Sequence, residues 1–214
     1  MMNKTIAILT VFLIFTPFIH AQDRKADLIL KEVSAKTKAN KTIKIDFTYT
    51  FEQKGQKKKE TRTGSLMNKG DKYRLDISGQ TVISDGKTVW TYIKDANEVQ
   101  INSVGSEEES FTPTKLLNSY KDNYRAKFSR EAIQDGKTIQ TIELVPLKKG
   151  KKLVKVLLGI DKAQQQVYSF TVFNKDGSSY SYKIKRYLTG QSFSDSEFTF
   201  KSSSYPGVEV IDMR

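Results

Sequence analysis

Few side chains in this sequence could act as a nucleophile, a general base or a metal ligand. The chain contains no cysteine, and its one histidine is His20. His20 lies in an apolar N-terminal segment that we expect to be removed. Ser-His and Cys-His nucleophiles and tight zinc sites are then excluded from the rest of the chain. The sequence therefore predicts neither a metal ion nor a cofactor.

Carboxylate pairs and phosphate-binding loops are the remaining catalytic patterns. Glu107, Glu108 and Glu109 are consecutive in a polar stretch, so their side chains point in different directions and water solvates them. The turn from Asp85 to Thr88 (DGKT) lacks the preceding glycine of a phosphate-cradling loop and lies between two predicted strands. We interpret it as a hairpin turn. The protein is predicted not to be an enzyme, and an envelope hydrolase is the least favoured alternative.

The N-terminus is typical of an export signal. Lys4 gives a short basic start, residues 5–19 are almost wholly apolar, and Pro17 precedes a small residue, Ala21. We expect residues 1–21 to be cleaved, leaving a single domain over 22–214. A retained anchor is the alternative. However, the apolar run is shorter than the roughly 20 residues of a membrane-spanning helix, and charged residues follow it at once.

The chain is strongly basic. It has 36 lysines and arginines against 24 acidic residues, a formal net charge of +12 at pH 7. Such a charge would hold the protein near anionic membrane surfaces or steer acidic partners, unless it serves solubility alone. The basic residues are spread along most strands and turns, whereas nucleic-acid binders usually gather them in one patch or helix. We therefore expect no nucleic-acid partner.

Two amphipathic segments are predicted to be helices. In the first, over 23–37, apolar residues recur at spacings near 3.6. In the second, over 114–120, Leu116, Leu117 and Tyr120 share one helical face. Pro113 suits the first turn of that helix, and Thr112 could cap it. Both helices need an apolar surface to lie on.

The rest of the chain has the period of two that is typical of β-strands. From Thr42 to Phe51 apolar and polar residues alternate, and turn pairs such as Asp135-Gly136 separate later strands. We expect about ten or eleven strands in an antiparallel meander, because long helices do not alternate with them. A further short strand is expected at 198–200. The tail after Tyr205 either adds an edge strand or lies across the rim.

The predicted strands are rich in aromatic residues, with ten tyrosines, twelve phenylalanines and Trp90 in the chain. A curved sheet of this width need not be filled by its own side chains, which leaves room for an apolar guest. An ordinary core is the alternative for any single residue. The helices would then rest on the concave side of the sheet.

Three segments carry a family resemblance. Residues 84–92 (SDGKTVWTY) give a strand-turn-strand signature, residues 64–75 (GSLMNKGDKYRL) precede it, and residues 195–200 (DSEFTF) with 205–210 (YPGVEV) close the chain. In this order they resemble the LolA family, periplasmic carriers of outer-membrane lipoproteins. The resemblance covers essentially all of 22–214.

The resemblance implies a mainly β fold: an incomplete antiparallel β-barrel with two or three lid helices over an apolar cavity. The cavity would take the acyl chains of lipoproteins. An inner-membrane ABC-type lipoprotein release complex would supply the cargo, and an outer-membrane acceptor would receive it. The carrier would be a periplasmic monomer. An envelope sensor of lipid or lipoprotein with the same fold is the alternative.

The residues expected to line the cavity are apolar and alternate along the strands: Phe47, Tyr49, Phe51, Leu66, Tyr73, Leu75, Trp90, Tyr92, Ile101, Phe170, Val172, Tyr182 and Ile184. The expected lid residues are Leu28, Ile29, Leu116, Leu117, Tyr120 and Lys69. Family members place an arginine at the position of Lys69, where it bonds the lid shut. Lysine cannot form the same planar bidentate pair, so Lys69 is either a weaker latch or a plain turn lysine.

Overall fold

The computed structural model describes residues 18–56, 59–77, 79–105, 113–148, 150 and 152–214. At 18–22 and 113–115 it describes the backbone alone. Most of the predicted signal segment, the acidic stretch 106–110 and the expected cap Thr112 lie outside the described residues.

Twelve strands and two helices are found in the described part of the chain. The helices are α1 (Phe18–Ala39) and α2 (Pro113–Asn123). The strands are β1 (Thr42–Gln53), β2 (Glu60–Lys69), β3 (Lys72–Ile77), β4 (Gln80–Ser84), β5 (Thr88–Ile93), β6 (Glu98–Ser103), β7 (Tyr124–Gln134), β8 (Lys137–Pro146), β9 (Leu153–Asp161), β10 (Gln166–Asn174), β11 (Ser178–Thr189) and β12 (Glu209–Asp212).

All twelve strands belong to one sheet, in the order β12-β6-β5-β4-β3-β2-β1-β11-β10-β9-β8-β7. Neighbours are antiparallel except for β12, which runs parallel to β6. Of the described strands, β7 and β12 have one neighbour each, so the sheet stays open. This confirms the predicted incomplete barrel, and the tail supplies an edge strand.

One predicted strand is wrong. Residues 198–200 do not form a strand. Phe198 is the last residue of a 3-10 helix over Asp195–Phe198, and 199–200 follow it outside any strand. The Ser194 side chain accepts a hydrogen bond from the Ser196 backbone, and the Glu197 carboxylate accepts one from the Ser194 backbone at 2.8 Å. This capping box starts a helical turn that buries Phe198 completely.

Both predicted helices are confirmed and lie on one face of the sheet, against its β7–β10 half. Helix α1 buries Ala26, Leu30 and Val33 in a cluster with Leu117 of α2 and strand residues such as Leu158. The Ser34 hydroxyl also donates to the Leu117 carbonyl oxygen at 3.2 Å. We call the face that carries α1 and α2 the inner face and the opposite one the outer face.

A second apolar cluster occupies the inner face of the other half of the sheet. It contains Ile43, Ile45, Leu66 and Val82, among others. Tyr182 and Ile184 of β11 contact both this cluster and the helix-covered one. The apolar inner face is therefore continuous from β7 to β5.

Candidate functional site

The middle of the inner face is formed by aromatic rings from β1, β10 and β11. Strand register pairs Tyr49 with Tyr182, Phe51 with Tyr180, and Phe170 with Tyr182, so these side chains point to the same side. Directly opposed residues of an antiparallel pair lie close enough for their rings to touch. We call the set the aromatic floor: Phe47, Tyr49, Phe51, Phe170, Tyr180 and Tyr182.

Ring contacts connect the members of the aromatic floor. Phe170 and Tyr182 are stacked, with ring centroids 4.3 Å apart and planes at 13°. Tyr182 also meets Phe47 edge-on at 5.5 Å and Tyr49 at 5.1 Å. Each such contact contributes about 0.5–1.5 kcal/mol beyond the area it buries. Tyr182 is therefore the hub of the floor.

Much of this surface points toward the helix side without being fully covered. Beneath the helices, Leu158 and Ile142 are fully buried. Toward β1 and β3, Ile43, Ile45 and Tyr73 are buried as well. Other inward side chains of this half and of β11 are only partly buried, although their neighbours are apolar. The partly buried members are Tyr49, Phe51, Leu75, Ile77, Val172, Tyr180, Tyr182 and Ile184. An apolar surface of this kind can accept an apolar guest.

The aromatic floor carries no charge at neutral pH. Burial raises the pKa of Tyr49 to about 12, and the neighbouring Tyr180 adds to the effect. Burial also raises the pKa of the Tyr182 hydroxyl, assisted by Tyr49 and Tyr180. Both phenols stay protonated, so the floor offers apolar rings and neutral hydroxyls to a ligand.

The apolar surface ends at β6. The residues of β6 that share the inner face are Glu98, Gln100 and Asn102, which the register pairs with Ile93, Thr91 and Val89 of β5. The Gln100 amide donates to the Glu98 carboxylate at 2.7 Å. The inner face therefore has a polar margin on the β6 side.

Most of the expected cavity residues lie together on the inner face. They are Phe47, Tyr49, Phe51, Leu66, Tyr73, Leu75, Phe170, Val172, Tyr182 and Ile184. Leu66 and Tyr73 are fully packed, whereas Tyr49, Leu75 and Val172 are half-buried. Their role as lining residues remains a proposal.

Three residues expected to line the cavity point to the outer face instead. They are Trp90, Tyr92 and Ile101. Trp90 pairs with Ile101, and the alternate residue Thr91 pairs with the inward Val82. Since successive strand residues face opposite sides, Trp90 and Tyr92 cannot share a surface with Leu75.

Tyr92 instead contacts the C-terminal segment on the outer face. Tyr92 contacts Tyr205 at 4.4 Å between ring centroids, and Phe200 stacks on Tyr205 at 4.7 Å. Sequence reasoning missed this cover. The aromatic residues between 193 and 205 were the feature of the sequence that could have indicated it.

The expected lid residues divide into two groups. Leu116, Leu117 and Tyr120 are buried against the helix-covered cluster, and Ile29 is partly buried there. Leu28 is 56% exposed and does not face the sheet core. Leu28 therefore does not lie on the side of α1 that faces the sheet, where it was expected.

Lys69 forms no bond to the described side chains of either helix. Its ammonium group donates to the Phe193 carbonyl oxygen at 3.1 Å and to Asp195 Oδ1 at 2.9 Å. Lys72 approaches the same Asp195 oxygen at 3.2 Å. Lys69 thus fastens the C-terminal segment to the β2–β3 end of the sheet.

Sequence reasoning also missed part of the aromatic floor. Tyr180 contacts both Tyr49 and Phe51 but was not among the expected lining residues. Its alternation with Tyr182 and Ile184 was the signal that could have identified it. Ile77 and Val82 were missed in the same way and lie on the inner face.

A groove of about 580 Å³ is lined largely by the outer face. The register aligns Asp46, Ser65, Asp76, Thr81 and Tyr92 in one row across five strands. Asp76 already accepts hydrogen bonds from Arg74 and Thr81, and Asp46 accepts one from Arg186. These bonds connect the carboxylates to neighbouring strands of the sheet and to Arg74 of the same strand.

Metal-binding and membrane-spanning features were sought in the same described residues. No group of three or more His, Cys, Asp or Glu side chains there could hold a metal ion. Neither helix that the structure describes is long and apolar enough to cross a membrane.

Comparison with known proteins gives consistent results. The model of the family described as outer membrane lipoprotein carrier protein LolA matches residues 38–201. An outer-membrane lipoprotein carrier protein from Pasteurella multocida (strain Pm70) is 28% identical over 218 residues, covering 100% of this chain and 98% of that protein. One from Histophilus somni (strain 2336) is 27% identical over 176 residues, covering 80% and 81%.

A solved structure shares the fold. An uncharacterized conserved protein from Thermus thermophilus has a TM-score of 0.59 and 11% sequence identity. The superposition covers 88% of this chain and 99% of that one.

Proposed function

This chain belongs to the LolA family of outer membrane lipoprotein carrier proteins, and from that premise we propose that it is a periplasmic lipoprotein chaperone. It binds the acyl chains of lipoproteins on its inner face and carries them from the inner to the outer membrane. Two features support this: the match to carriers along the whole chain and the partly uncovered apolar floor.

The floor is the observation that carries the proposal. Tyr49, Leu75 and Val172 point toward the helix side but keep part of their surface accessible. Burying a methylene group is worth about 0.8 kcal/mol, so an acyl chain gains substantially by leaving water for such a surface. The rings supply area without charge, because Tyr49 and Tyr182 remain neutral.

The carrier performs no covalent chemistry in this proposal. The carboxylates of the outer groove are bonded to arginine and hydroxyl groups, and the inner face is apolar. Transfer requires only that the acyl chains be shielded in water and released at the acceptor. Affinity must therefore be moderate, since each additional buried methylene also slows release.

The proposed route places the protein in the periplasm after cleavage of residues 1–21. An inner-membrane ABC-type lipoprotein release complex loads it, and an outer-membrane acceptor unloads it. We propose no cofactor, metal or nucleic acid as a partner, and a monomer as the working unit.

The direct test is the cargo. The chain should be produced with its own N-terminus, recovered from the periplasm, and the copurifying lipids and lipoproteins identified by mass spectrometry. Acylated lipoproteins support the proposal. A stable signalling protein bound without acyl cargo would instead indicate the sensor alternative.

A matched pair of variants ties the cargo to the inner face. Phe51→Asp places a carboxylate on the floor, whereas Thr48→Asp places it on the outer face of the same strand. We expect F51D to lose at least about tenfold of the bound acyl chains, because an unpaired charge must be desolvated beside them. T48D should retain them. Circular dichroism checks that both variants fold.

Sorting in the cell gives an independent test. Depletion of the protein should leave outer-membrane lipoproteins at the inner membrane. Normal sorting in a depleted strain that lacks a second copy would contradict the carrier role.

A further inference from the structure

Three hairpin turns meet at one end of the sheet. They are the β1–β2, β8–β9 and β10–β11 turns. The Lys54 amide donates to the Gly177 carbonyl at 3.0 Å, and the Gln53 side chain donates to the Asp176 carbonyl at 2.9 Å. The Lys175 amide donates to the Lys152 carbonyl at 2.9 Å. These bonds hold the three turns together as one surface, which we call the hairpin end.

Lysine dominates the hairpin end. The described lysines on it are all exposed: Lys54, Lys59, Lys148, Lys152 and Lys175. In sequence, the stretches 53–59 and 148–152 together contain eight lysines and no acidic residue. The five described lysines therefore form a cluster of positive charge at this end of the sheet.

Three carboxylates in the described part of these turns oppose this charge, and all are engaged: Glu52, Glu60 and Asp176. Glu60 accepts a hydrogen bond from Arg62 at 3.3 Å. Glu52 forms an ion pair with Lys59 at 2.8 Å. Asp176 accepts hydrogen bonds from the Ser178 backbone and hydroxyl at 2.8 and 2.7 Å. Lys54 and Lys148 have no hydrogen bond or ion pair of their side chains to other described residues, and both are exposed to water. Lys152 is also exposed and forms no ion pair with a described residue, although its charge adds to the effect of the Ser178 hydrogen bonds in lowering the pKa of Asp176.

Exposed aliphatic side chains flank the same turns. Leu147 is 59% exposed and directly precedes Lys148. Val145 and Val154, on the strands that enter and leave the β8–β9 turn, are 40% and 43% exposed. Lysines around exposed aliphatic residues are the combination that anionic bilayers bind, through charge attraction and shallow apolar insertion.

We infer that the hairpin end docks on the surface of an anionic lipid bilayer. The lysines face the headgroups, and Leu147 enters the interface. A protein partner with an acidic surface would satisfy the charges but would not require a free-standing aliphatic tip. The docking itself does not depend on lipoprotein binding.

Docking would also bring one end of the aromatic floor to the membrane. Phe51 lies two residues before Gln53, and Tyr180 lies two residues after Ser178. An acyl chain leaving the bilayer would meet these rings first. This consequence, unlike the docking itself, rests on the proposed carrier function.

Sedimentation with vesicles free of lipoprotein tests the inference. The chain should bind vesicles that contain phosphatidylglycerol and leave those of phosphatidylcholine alone, and binding should weaken as salt rises. The variant K54E/K148E/K152E reverses charge at the hairpin end. Each lysine near an anionic surface is worth about fivefold in affinity, so the triple variant should lose roughly a hundredfold or more.

The variant K38E/K87E/K201E is the matched control. It makes the same change in net charge at exposed lysines of α1, the β4–β5 turn and the C-terminal segment. It should keep most of the binding. An equal loss in both triple variants would overturn the inference, because net charge alone would then explain it. Absence of binding to phosphatidylglycerol vesicles would also overturn it.

Leu147→Ser tests the apolar contribution. We expect it to weaken vesicle binding several-fold while leaving the salt dependence unchanged, and an unchanged affinity would remove Leu147 from the docking surface. The floor variant F51D adds one carboxylate but keeps the lysines of the hairpin end, so it should lose no more than about fivefold of its binding to empty vesicles. Loss of cargo in F51D and loss of docking in K54E/K148E/K152E are thus separate results.

Discussion

The ring of Phe47 lies over Gly64, its partner on the neighbouring strand. A Cβ atom at Gly64 would be 2.6 Å from Phe47 Cζ and 2.7 Å from the Asp76 carbonyl oxygen. Neither distance is tolerable for a real side chain. The missing side chain on β2 therefore provides the space in which Phe47 reaches the inner face.

Gly64→Ala should destabilise the fold by about 1–3 kcal/mol, the usual cost of overpacking. Urea denaturation measures the change. Gly150→Ala is the control, because a Cβ there meets nothing within 4 Å. Equal stability of the two variants would show that Phe47 moves aside without cost.

Acid sensitivity is expected from Asp161. Burial alone would raise the pKa of this carboxyl, but hydrogen bonds from Lys137 at 2.9 Å and from the Gln164 backbone at 3.0 Å hold it below its usual range. Its contribution is then present above the unfolded pKa of about 3.9 and is lost as pH falls through the folded pKa.

Asp161→Asn should cost about 1–3 kcal/mol near neutral pH, because the buried group loses its charge and one of the two oxygens that accept hydrogen bonds from Lys137 and Gln164. The gap to the parent should begin to narrow as pH falls below about 4 and should close below the lowered pKa of the folded state, where the parent carboxyl is protonated as well. Urea denaturation near neutral pH and below about pH 4 measures the two gaps. Asp95→Asn is the control, because Asp95 is exposed. A gap that is independent of pH would contradict the assignment.

Alkaline sensitivity is expected from the aromatic floor. Burial raises the pKa of Tyr49 to about 12, and it also raises the pKa of Tyr182. Because the neutral phenol is favoured in the fold, this contribution is present below the unfolded pKa of about 10 and is lost as pH rises toward the folded value.

Tyr49→Phe should remove one late-ionising phenol from an absorbance titration, so that the amplitude is lost at the alkaline end. The free energy of unfolding of the variant should also fall less steeply than that of the parent as pH rises above about 10. Loss of amplitude near pH 10 instead would place Tyr49 in contact with water.

The Lys69–Asp195 pair is expected to hold the C-terminal segment and not the helices. Lys69 and Lys72 lower the pKa of Asp195 through hydrogen bonds and charge, so the pair persists in mild acid. Asp195→Asn should increase amide hydrogen exchange around 193–198 and leave acyl-chain binding unchanged. Lys69→Arg should preserve protection. Altered cargo binding in D195N would restore a latch role for Lys69.

The sequence predicts most of the sheet because its signals are local. Alternation along β1 and turn pairs such as Asp135-Gly136 each act over a few residues, and the structure has strands and turns at those places. Both helices could be predicted as well, because their apolar residues repeat at the helical period over enough turns. The lining residues on β1, β10 and β11 follow from the same alternation.

The face assignment of β5 and β6 could not be predicted. Apolar residues occupy both sides of β5, with Val89 and Ile93 inward and Trp90 and Tyr92 outward. The C-terminal segment covers Tyr92 on the outer face through Phe200 and Tyr205. When both faces of a strand are covered, a period of two does not reveal which face is which.

The two ends of the open sheet determine how the molecule behaves among its own copies. Strand β12 has only four residues, and β7 presents exposed Arg125, Lys127 and Arg130 along its length. Short margins and repeated positive charge discourage another chain from extending the hydrogen-bond ladder. The edge strands of this sheet therefore do not favour edge-to-edge pairing with another copy, even though the inner face carries partly exposed aromatic rings.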